Sequence, residues 1–196
     1  MNPSLAHTDA EYEDILRGYL AGARGVTHIF NAQRPIHHLA LGAGGGSLTI
    51  DGLYCEVITD GFHVMPEMLK MLFRTKPIEK IIMISDNVWI SCTPKGDYEL
   101  SGVPVHNEGD KLVVANSATY SLAGSCLSLN VGLKNVLRFT GLPLEKVLLC
   151  LTENPARYIG ADARKGFLRA GYDADLNLLD AECGIAATWV RGRKVQ

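Results

Sequence analysis

The sequence predicts an α/β fold built from right-handed β-α-β units. Apolar stretches of strand length alternate with stretches of helical spacing through the first half of the chain. One strand, residues 80–86, is a nearly unbroken apolar run, which is typical of a strand buried on both faces of a parallel sheet. The chain has 196 residues, of which 47% are hydrophobic and 20% charged, so it is long enough for one globular domain. These observations together favour the α/β class.

The first elements follow from local signals. Thr8 and Glu11 have the spacing of a helix capping box, and apolar residues recur at helical spacing after them. Residues 25–32 (GVTHIFNA) are rich in strand-forming residues. The glycine-rich stretch 41–48 lacks the preceding strand and the Lys-Ser/Thr ending of a phosphate loop, so we interpret it as a mobile connection.

The next elements continue the alternation. Residues 53–64 (LYCEVITDGFHV) predict a strand, and residues 66–75 predict a short helix with Pro66 near its start. Turn signals and short alternating segments then predict a hairpin insertion at about 96–116.

The last third of the chain changes in character. Two helices are expected at residues 125–140 and 143–160. The tail, residues 166–196, predicts short strands joined by glycine turns.

Composition argues against several classes of function. The net charge is −2 and no basic stripe is present, so the sequence predicts no nucleic-acid partner. Apolar runs stay well short of the ~18 residues that a bilayer-spanning helix needs, so we expect no membrane partner. The five cysteines are widely spaced and form no C-x-x-C pair. Together with a first segment unlike a signal peptide, they predict a cytoplasmic protein with reduced thiols.

Four polar residues occupy the places where parallel α/β sheets carry their chemistry. His7, His28, His63 and Asp86 follow successive predicted strands, and the carboxyl ends of parallel strands meet at one edge. Neutral imidazole and carboxylate are natural ligands for Zn²⁺ or Fe²⁺. Such an ion could acidify a water molecule, and the Asp86 carboxylate could accept the proton.

Each of these residues also has an ordinary structural interpretation. A single histidine such as His28 is more commonly a hydrogen-bonded core or surface residue, and Asp86 could cap a following helix. His7 could belong to a frayed terminus. His37 and His38 fit a solvated loop better than metal ligation. The joint placement of four groups at four strand ends favours a metal-dependent hydrolase.

Several segments together resemble a known family. AHTDA, GVTHIFNA, DGFHV, MISDNV, LAGS, TENPARYIG and AGYDADL occur in the order found in N-acetylglucosamine-6-phosphate deacetylases, which are metal-dependent (β/α)8 barrels of the amidohydrolase superfamily. The resemblance covers essentially the whole chain. It implies that residues 1–165 are the C-terminal half of a (β/α)8 TIM-type barrel, including the hairpin insertion. Residues 166–196 would be the C-terminal piece of a small β-domain.

The resemblance also implies roles for individual residues. His7 and His28 match metal ligands, Asp86 matches the aspartate that activates water and protonates the amine, and His63 matches a histidine that contacts the substrate carbonyl. The implied reaction converts N-acetylglucosamine 6-phosphate to glucosamine 6-phosphate and acetate. The remaining implied substrate-binding residues are Asn31, Ala32, His38, Leu122, Ala123 and Gly124.

Two departures from the family pattern open alternatives. The family's N-terminal strands and a metal-ligating glutamate have no counterpart here, so we expect an incomplete, weakly binding site for the divalent ion. A homodimer or a companion N-terminal half would then be needed, and a truncated, non-catalytic fragment is the alternative. Leu39 stands where the family often has a phosphate-binding arginine, which Arg34 could replace. A deacetylase of a non-phosphorylated N-acetyl sugar, or another amidohydrolase acting on a cyclic amide, are further alternatives.

Overall fold

A parallel sheet forms the centre of the molecule. The computed structural model describes residues 2–117 and 121–196. Four parallel strands lie in the order β1-β2-β3-β4, and an α-helix joins each strand to the next, as the α/β prediction requires. The elements are β1 (Ser4–Leu5), α1 (Tyr12–Leu20), β2 (Gly25–Val26), α2 (Gly42–Thr49), β3 (Tyr54–Ile58), α3 (Pro66–Thr75) and β4 (Ile81–Ile84).

The start of α1 differs from the prediction. Glu11, not Thr8, is the N-cap residue, and its backbone amide donates to Asp14 Oδ2 at 3.1 Å. Thr8 Oγ1 instead accepts from the Ala10 amide at 3.2 Å. The predicted capping box at Thr8 is therefore wrong, because the helix begins one turn later on an acidic pair.

The glycine-rich stretch is the helix α2, so its prediction as a mobile connection is wrong. Its glycines lie against neighbouring elements without room for side chains. A Cβ on Gly44 would lie 2.9 Å from Phe30 Cδ1, and one on Gly46 would lie 3.3 Å from Tyr12 Cα. Glycine weakens a helix by about 1 kcal/mol relative to alanine, and close packing against α1 offsets this cost.

A buried lysine completes the end of α2. Lys76 is only 3% exposed, and its Nζ donates to Ser47 O at 2.9 Å and Ile50 O at 2.7 Å. Carbonyls at a helix C-terminus have no partner inside the helix. The Lys76 ammonium provides one, although burial holds the pKa of Lys76 below its ordinary value.

Strand β4 has the burial that its sequence predicted. Ile81, Ile82 and Met83 are 0%, 4% and 3% exposed, so both faces of the strand are covered. The helix α3 begins at Pro66, also as predicted. Amide hydrogens in the first turn of a helix have no partner within the helix, so proline, which has no amide hydrogen, fits there.

An antiparallel sheet follows the parallel one, in the order β5-β6-β7-β8. It contains the segment predicted as a hairpin insertion and packs around a small apolar cluster of Ile90, Val105 and Leu112. A parallel bridge between Asn87 and Ser125 links its last strand to the chain that leaves β4. The strands are β5 (Gly96–Leu100), β6 (Val103–Asn107), β7 (Lys111–Val114) and β8 (Leu122–Ser125).

The last part of the chain contains three helices and a second antiparallel sheet, in the order β11-β10-β9. The second predicted helix is divided in two, because Pro155 cannot donate a backbone hydrogen bond to the preceding turn. Within residues 2–117 and 121–196 we find no helix with the length and apolar character needed to span a membrane. The elements are α4 (Leu129–Thr140), α5 (Leu144–Leu149), α6 (Glu153–Tyr158), β9 (Leu176–Leu179), β10 (Ile185–Val190) and β11 (Arg193–Lys194).

Candidate active site

The four chemically suited residues converge at the carboxyl edge of the parallel sheet. His7, His28 and Asp86 each lie two residues beyond the ends of β1, β2 and β4, and His63 lies five residues beyond β3. All four line one cavity of about 540 Å³. The four residues therefore share the rim of one cavity, as their placement after the strands predicted.

Most of the other predicted substrate-binding residues line the same cavity. They are Asn31, Ala32, Leu122, Ala123 and Gly124. His38 does not: its side chain is exposed on a turn and lies against His37, with 4.2 Å between the centroids of the two tilted rings. Sequence reasoning missed the other described residues of the lining, which are Phe30, Ile58, Phe62, Leu100 and Ser121.

His7 and His28 form a close pair. Their Nε2 atoms are 2.8 Å apart and their ring centroids 4.7 Å apart. His28 is only 8% exposed, and its Nδ1 is a buried atom with no hydrogen-bond partner in the described part of the chain. Two imidazole nitrogens therefore point at one position from adjacent strands.

This pair fits part of a metal site. Zinc binds histidine nitrogen at about 2.0–2.1 Å, so two nitrogens with one tetrahedral ion between them are roughly 3.4 Å apart. His7 and His28 would need to separate by only a fraction of an ångström from their 2.8 Å spacing. Within the described residues, no group of three or more histidine, cysteine, aspartate or glutamate side chains is placed to hold a metal ion. Catalytic zinc has three protein ligands, so this pair is an incomplete set.

Backbone conformations that are unusual for side-chain-bearing residues concentrate at this rim. The φ angles are +43° at His7, +32° at His28, +78° at Phe30, +48° at Ala32 and +50° at Asp86. A left-handed conformation costs a non-glycine residue on the order of 1–2 kcal/mol. These residues follow β1, β2 and β4, so the backbone adopts a strained conformation just beyond three of the four parallel strands.

Side chains of the loop after β2 hold that loop in place. Gln33 Nε2 donates to Thr27 O at 3.1 Å, and Gln33 Oε1 accepts from the Phe30 amide at 3.1 Å. Asn31 Nδ2 lies 3.3 Å from His28 O, and the Asn31 amide donates to the same oxygen at 3.0 Å. The loop that carries His28, Asn31 and Ala32 is therefore fixed by its own polar groups.

A buried aspartate orients His63. Asp60 Oδ2 lies 2.6 Å from His63 Nδ1, and the two side chains are only 5% and 7% exposed. Asp60 Oδ1 accepts from the backbone amides of Phe62 at 2.8 Å and His63 at 2.9 Å. Burial raises the pKa of the Asp60 carboxyl, but the hydrogen bonds from His63 and Phe62 outweigh it and hold the pKa below its ordinary value. Sequence reasoning missed Asp60, although an acidic residue three positions before the histidine was visible.

Strand β8 contacts the backbone of Asp86, and a second carboxyl group lies near enough to feel its charge. The Ser125 amide donates to Asp86 O at 2.9 Å, and a Cβ on Gly124 would lie 3.3 Å from the same oxygen. Glu56, on β3, carries the other carboxyl group. Burial raises the pKa of Glu56, a hydrogen bond with Thr27 opposes that effect, and the negative charge of Asp86 raises the pKa further.

Among the described residues, neither lysine nor arginine belongs to the lining of the cavity. Leu39, at the position where an arginine was expected, is 82% exposed. Arg34 forms ion pairs with Glu11 at 2.6 Å and Asp9 at 3.4 Å. The Arg34 guanidinium is therefore ion-paired with carboxylates near α1.

Known proteins are similar to this chain in structure and in sequence. The family model described as the amidohydrolase family matches residues 3–195. An N-acetylglucosamine-6-phosphate deacetylase of Bacillus subtilis is 34% identical over 96% of this chain and 47% of its own length. An N-acetylgalactosamine-6-phosphate deacetylase of Escherichia coli O157:H7 is 30% identical over 96% of this chain and 49% of its own length. The crystal structure of the N-acetylglucosamine-6-phosphate deacetylase of Thermotoga maritima is 28% identical with a TM-score of 0.93, over 100% of this chain and 53% of that one.

The chain spans about half the length of the curated relatives that it matches. The predicted similarity to N-acetylglucosamine-6-phosphate deacetylases, over roughly half of such a protein, is confirmed.

Proposed function

The chain belongs to the amidohydrolase family, and from that premise we propose that it carries much of the active site of a sugar-phosphate deacetylase. The reaction is hydrolysis of the acetamide of N-acetylglucosamine 6-phosphate to glucosamine 6-phosphate and acetate. One observation supports this most strongly: His7, His28, His63 and Asp86 line one cavity together with Asn31 and other residues that the family resemblance assigned to the substrate. The deacetylases of Bacillus subtilis and Thermotoga maritima support the substrate class.

The chemistry assigns a separate role to each group. The Asp86 carboxylate accepts a proton from the attacking water and returns it to the departing amine. His63 forms a hydrogen bond with the acetamide oxygen. His7 and His28 would hold a divalent transition ion such as Zn²⁺ or Fe²⁺, which when bound would acidify water and polarise the carbonyl. The buried Asp60 keeps His63 in place while the substrate exchanges.

The proposed active site needs further strands and a further metal ligand beyond the described residues. In the described ranges β1 pairs only with β2, so its other edge is open. Closing a barrel removes such edges. We infer that residues 1–165 form half of a (β/α)8 barrel, that 166–196 belong to a small β-domain, and that further strands complete the barrel and the metal site. Those strands would come from a companion N-terminal half or from a homodimeric assembly.

A second candidate function rests on the composition of the cavity. Its described lining contains neither lysine nor arginine, and Arg34 is paired with Asp9 and Glu11. A phosphate is recognised best by a bidentate arginine. Deacetylation of an N-acetylhexosamine without a phosphate is therefore the alternative.

Acetate release tests both functions. The chain would be assayed with Zn²⁺ and with Fe²⁺ on N-acetylglucosamine 6-phosphate, N-acetylgalactosamine 6-phosphate and unphosphorylated N-acetylglucosamine, alone and with the N-terminal half of the Bacillus subtilis relative. We expect release from the first substrate when the halves are combined. Asp86→Asn should lower it at least about 100-fold, the lower range for a general base, and His106→Gln on the exposed face of β6 should not. A combined sample that releases acetate from none of these compounds would refute the proposed function, and release only from the unphosphorylated sugar would favour the second candidate.

We also propose a cytoplasmic location. All five cysteines are free thiols, and Cys55, Cys150 and Cys183 are buried. Burial raises the pKa of the Cys55 thiol to about 11 and that of Cys150 to about 12. Unpaired thiols are typical of reducing compartments.

A further inference from the structure

Two aspartate–histidine pairs in this protein have the same contact distance in different surroundings. Asp60 Oδ2 and His63 Nδ1 are 2.6 Å apart, as are Asp97 Oδ1 and His106 Nδ1. The side chains of the first pair are 5% and 7% exposed, whereas those of the second are 88% and 48% exposed. Only the first pair borders the cavity, through His63.

The buried carboxylate has a fixed orientation. Its Oδ1 atom already accepts the amides of Phe62 and His63, at 2.8 Å and 2.9 Å. Rotation would break both bonds, so Oδ2 stays directed at the His63 ring. An ionised carboxylate can only accept hydrogen bonds, so the nitrogen that faces it must carry the proton.

We propose that Asp60 is a positioning residue that fixes His63 in the Nδ1–H tautomer, so that Nε2 alone exchanges protons and hydrogen bonds with a molecule in the cavity. A neutral His63 then accepts through Nε2, for example from a sugar hydroxyl. A protonated His63 donates through Nε2 and carries a positive charge, the form suited to an acetamide oxygen that gains negative charge. The identity of the group that His63 meets in the cavity rests on the proposed function above. The tautomer of His63 does not depend on that function.

A substitution at Asp60 distinguishes an effect on the tautomer of His63 from an effect on packing alone. In Asp60→Asn the side-chain oxygen can keep accepting the Phe62 and His63 amides, so the amide nitrogen takes the place of Oδ2. That nitrogen donates only, so it forces His63 Nδ1 to be an acceptor and moves the proton to Nε2. A change of tautomer of this kind is known to disable a histidine whose geometry is otherwise intact.

Nitrogen-15 NMR of the full 196-residue chain provides the test, because ring nitrogen shifts distinguish the tautomers. Spectra would be recorded without substrate or metal, at a pH where the rings are neutral, and signals assigned with His63→Gln and His106→Gln. We expect at least about a tenfold preference for Nδ1–H at His63, the ratio expected for a buried hydrogen bond to a charged acceptor. Asp60→Asn should reverse that preference. His106 is the matched control: water competes for its exposed partner, so Asp97→Asn should change its tautomer ratio by less than about threefold.

The wild-type spectrum alone can overturn the proposal, even if Asp60→Asn does not fold. A His63 ring with Nε2–H predominant, or with the same mixture as His106, would refute it. A folded Asp60→Asn variant that keeps Nδ1–H would refute it as well. Because no substrate is used, a chain that failed every acetate assay would still give a clear answer here.

Discussion

The Nε2 atoms of His7 and His28 lie 2.8 Å apart, although 21 residues separate them in the chain. The cause is the register of two parallel strands, in which Leu5 pairs with Val26. Each histidine follows its strand by the same two residues, so the two rings emerge side by side. A single α-helical crossover thus places two metal-capable nitrogens at one point.

Metal binding should depend on this pair. Titration of the chain with Co²⁺, followed by its visible absorption, should show a site that weakens at least about tenfold in His28→Ala, because loss of even an outer-shell partner has effects of that size. Affinity should fall in acid, since the ligands must be deprotonated. His106→Ala, which removes an exposed imidazole, is the matched control. Equal affinities of His28→Ala and the wild type would show that the pair does not hold the ion.

The strained backbone at the cavity should be measurable as stability. Ala32 is exposed and has a φ of +48°, so Ala32→Gly removes steric strain while losing little burial. We expect the free energy of unfolding to rise by up to about 1 kcal/mol, as the relief of strain exceeds the entropy that glycine adds to the unfolded chain. Ala21→Gly is the control, because Ala21 is also exposed but has a φ of −76°. The free energy of unfolding of this variant should fall by roughly a few tenths of a kcal/mol. Urea denaturation compares them, and equal losses in both variants would argue against strain at Ala32.

The buried ammonium at the end of α2 should be essential for stability. Lys76→Met keeps most of the side-chain volume but removes the ammonium hydrogen bonds to the carbonyls of Ser47 and Ile50. From the described residues, these carbonyls then keep only the Cys55 thiol at 3.9 Å and the Leu53 amide at 3.0 Å. We expect a loss of about 2–4 kcal/mol in the free energy of unfolding, since each hydrogen bond from a charged group contributes roughly 1.5–3 kcal/mol. Lys146→Met, on the exposed side of α5, should change it by less than about 0.5 kcal/mol. Similar thermal melting of the two variants would mean that Lys76 does not anchor the helix.

Glu56 should make stability depend on pH in a direction opposite to that of most acidic residues. Burial raises the pKa of Glu56 above its ordinary value of 4.5 in the folded state. The folded protein therefore retains a proton that the unfolded chain has released, so stability falls as pH rises from about 4.5 through the folded pKa. Glu56→Gln removes this contribution. The variant should gain stability relative to the wild type across that range, with the difference small below pH 4.5 and constant above the folded pKa. Urea midpoints from pH 4 to 8 measure this difference, and parallel curves would contradict the inferred burial of the charge.

Local sequence predicted the elements whose signals are local. The apolar run of β4 is buried on both faces, and Pro66 begins α3. The placement of histidines and Asp86 after successive strands also came from the order of elements along the chain. These features depend on side-chain period and on backbone chemistry within a few residues.

Other features depended on groups far apart in the chain. The glycine-rich helix α2 was predicted wrongly, because its stability comes from contact with Tyr12 and from Lys76, which lies beyond the next strand. Its composition alone disfavours a helix.

The sequence by itself determined which residue types end each parallel strand, and so which chemistry is available at the rim. Only the tertiary structure decided that His7 meets His28, that Asp60 holds His63, and that His38 stays outside the cavity. The physical reason is that strand register and loop strain set these distances: the hydrogen bonds between His37 and Ala40 close the turn that leaves His38 exposed. The pairing of His7 with His28 is made across the sheet, where the spacing of residues along the chain no longer measures distance.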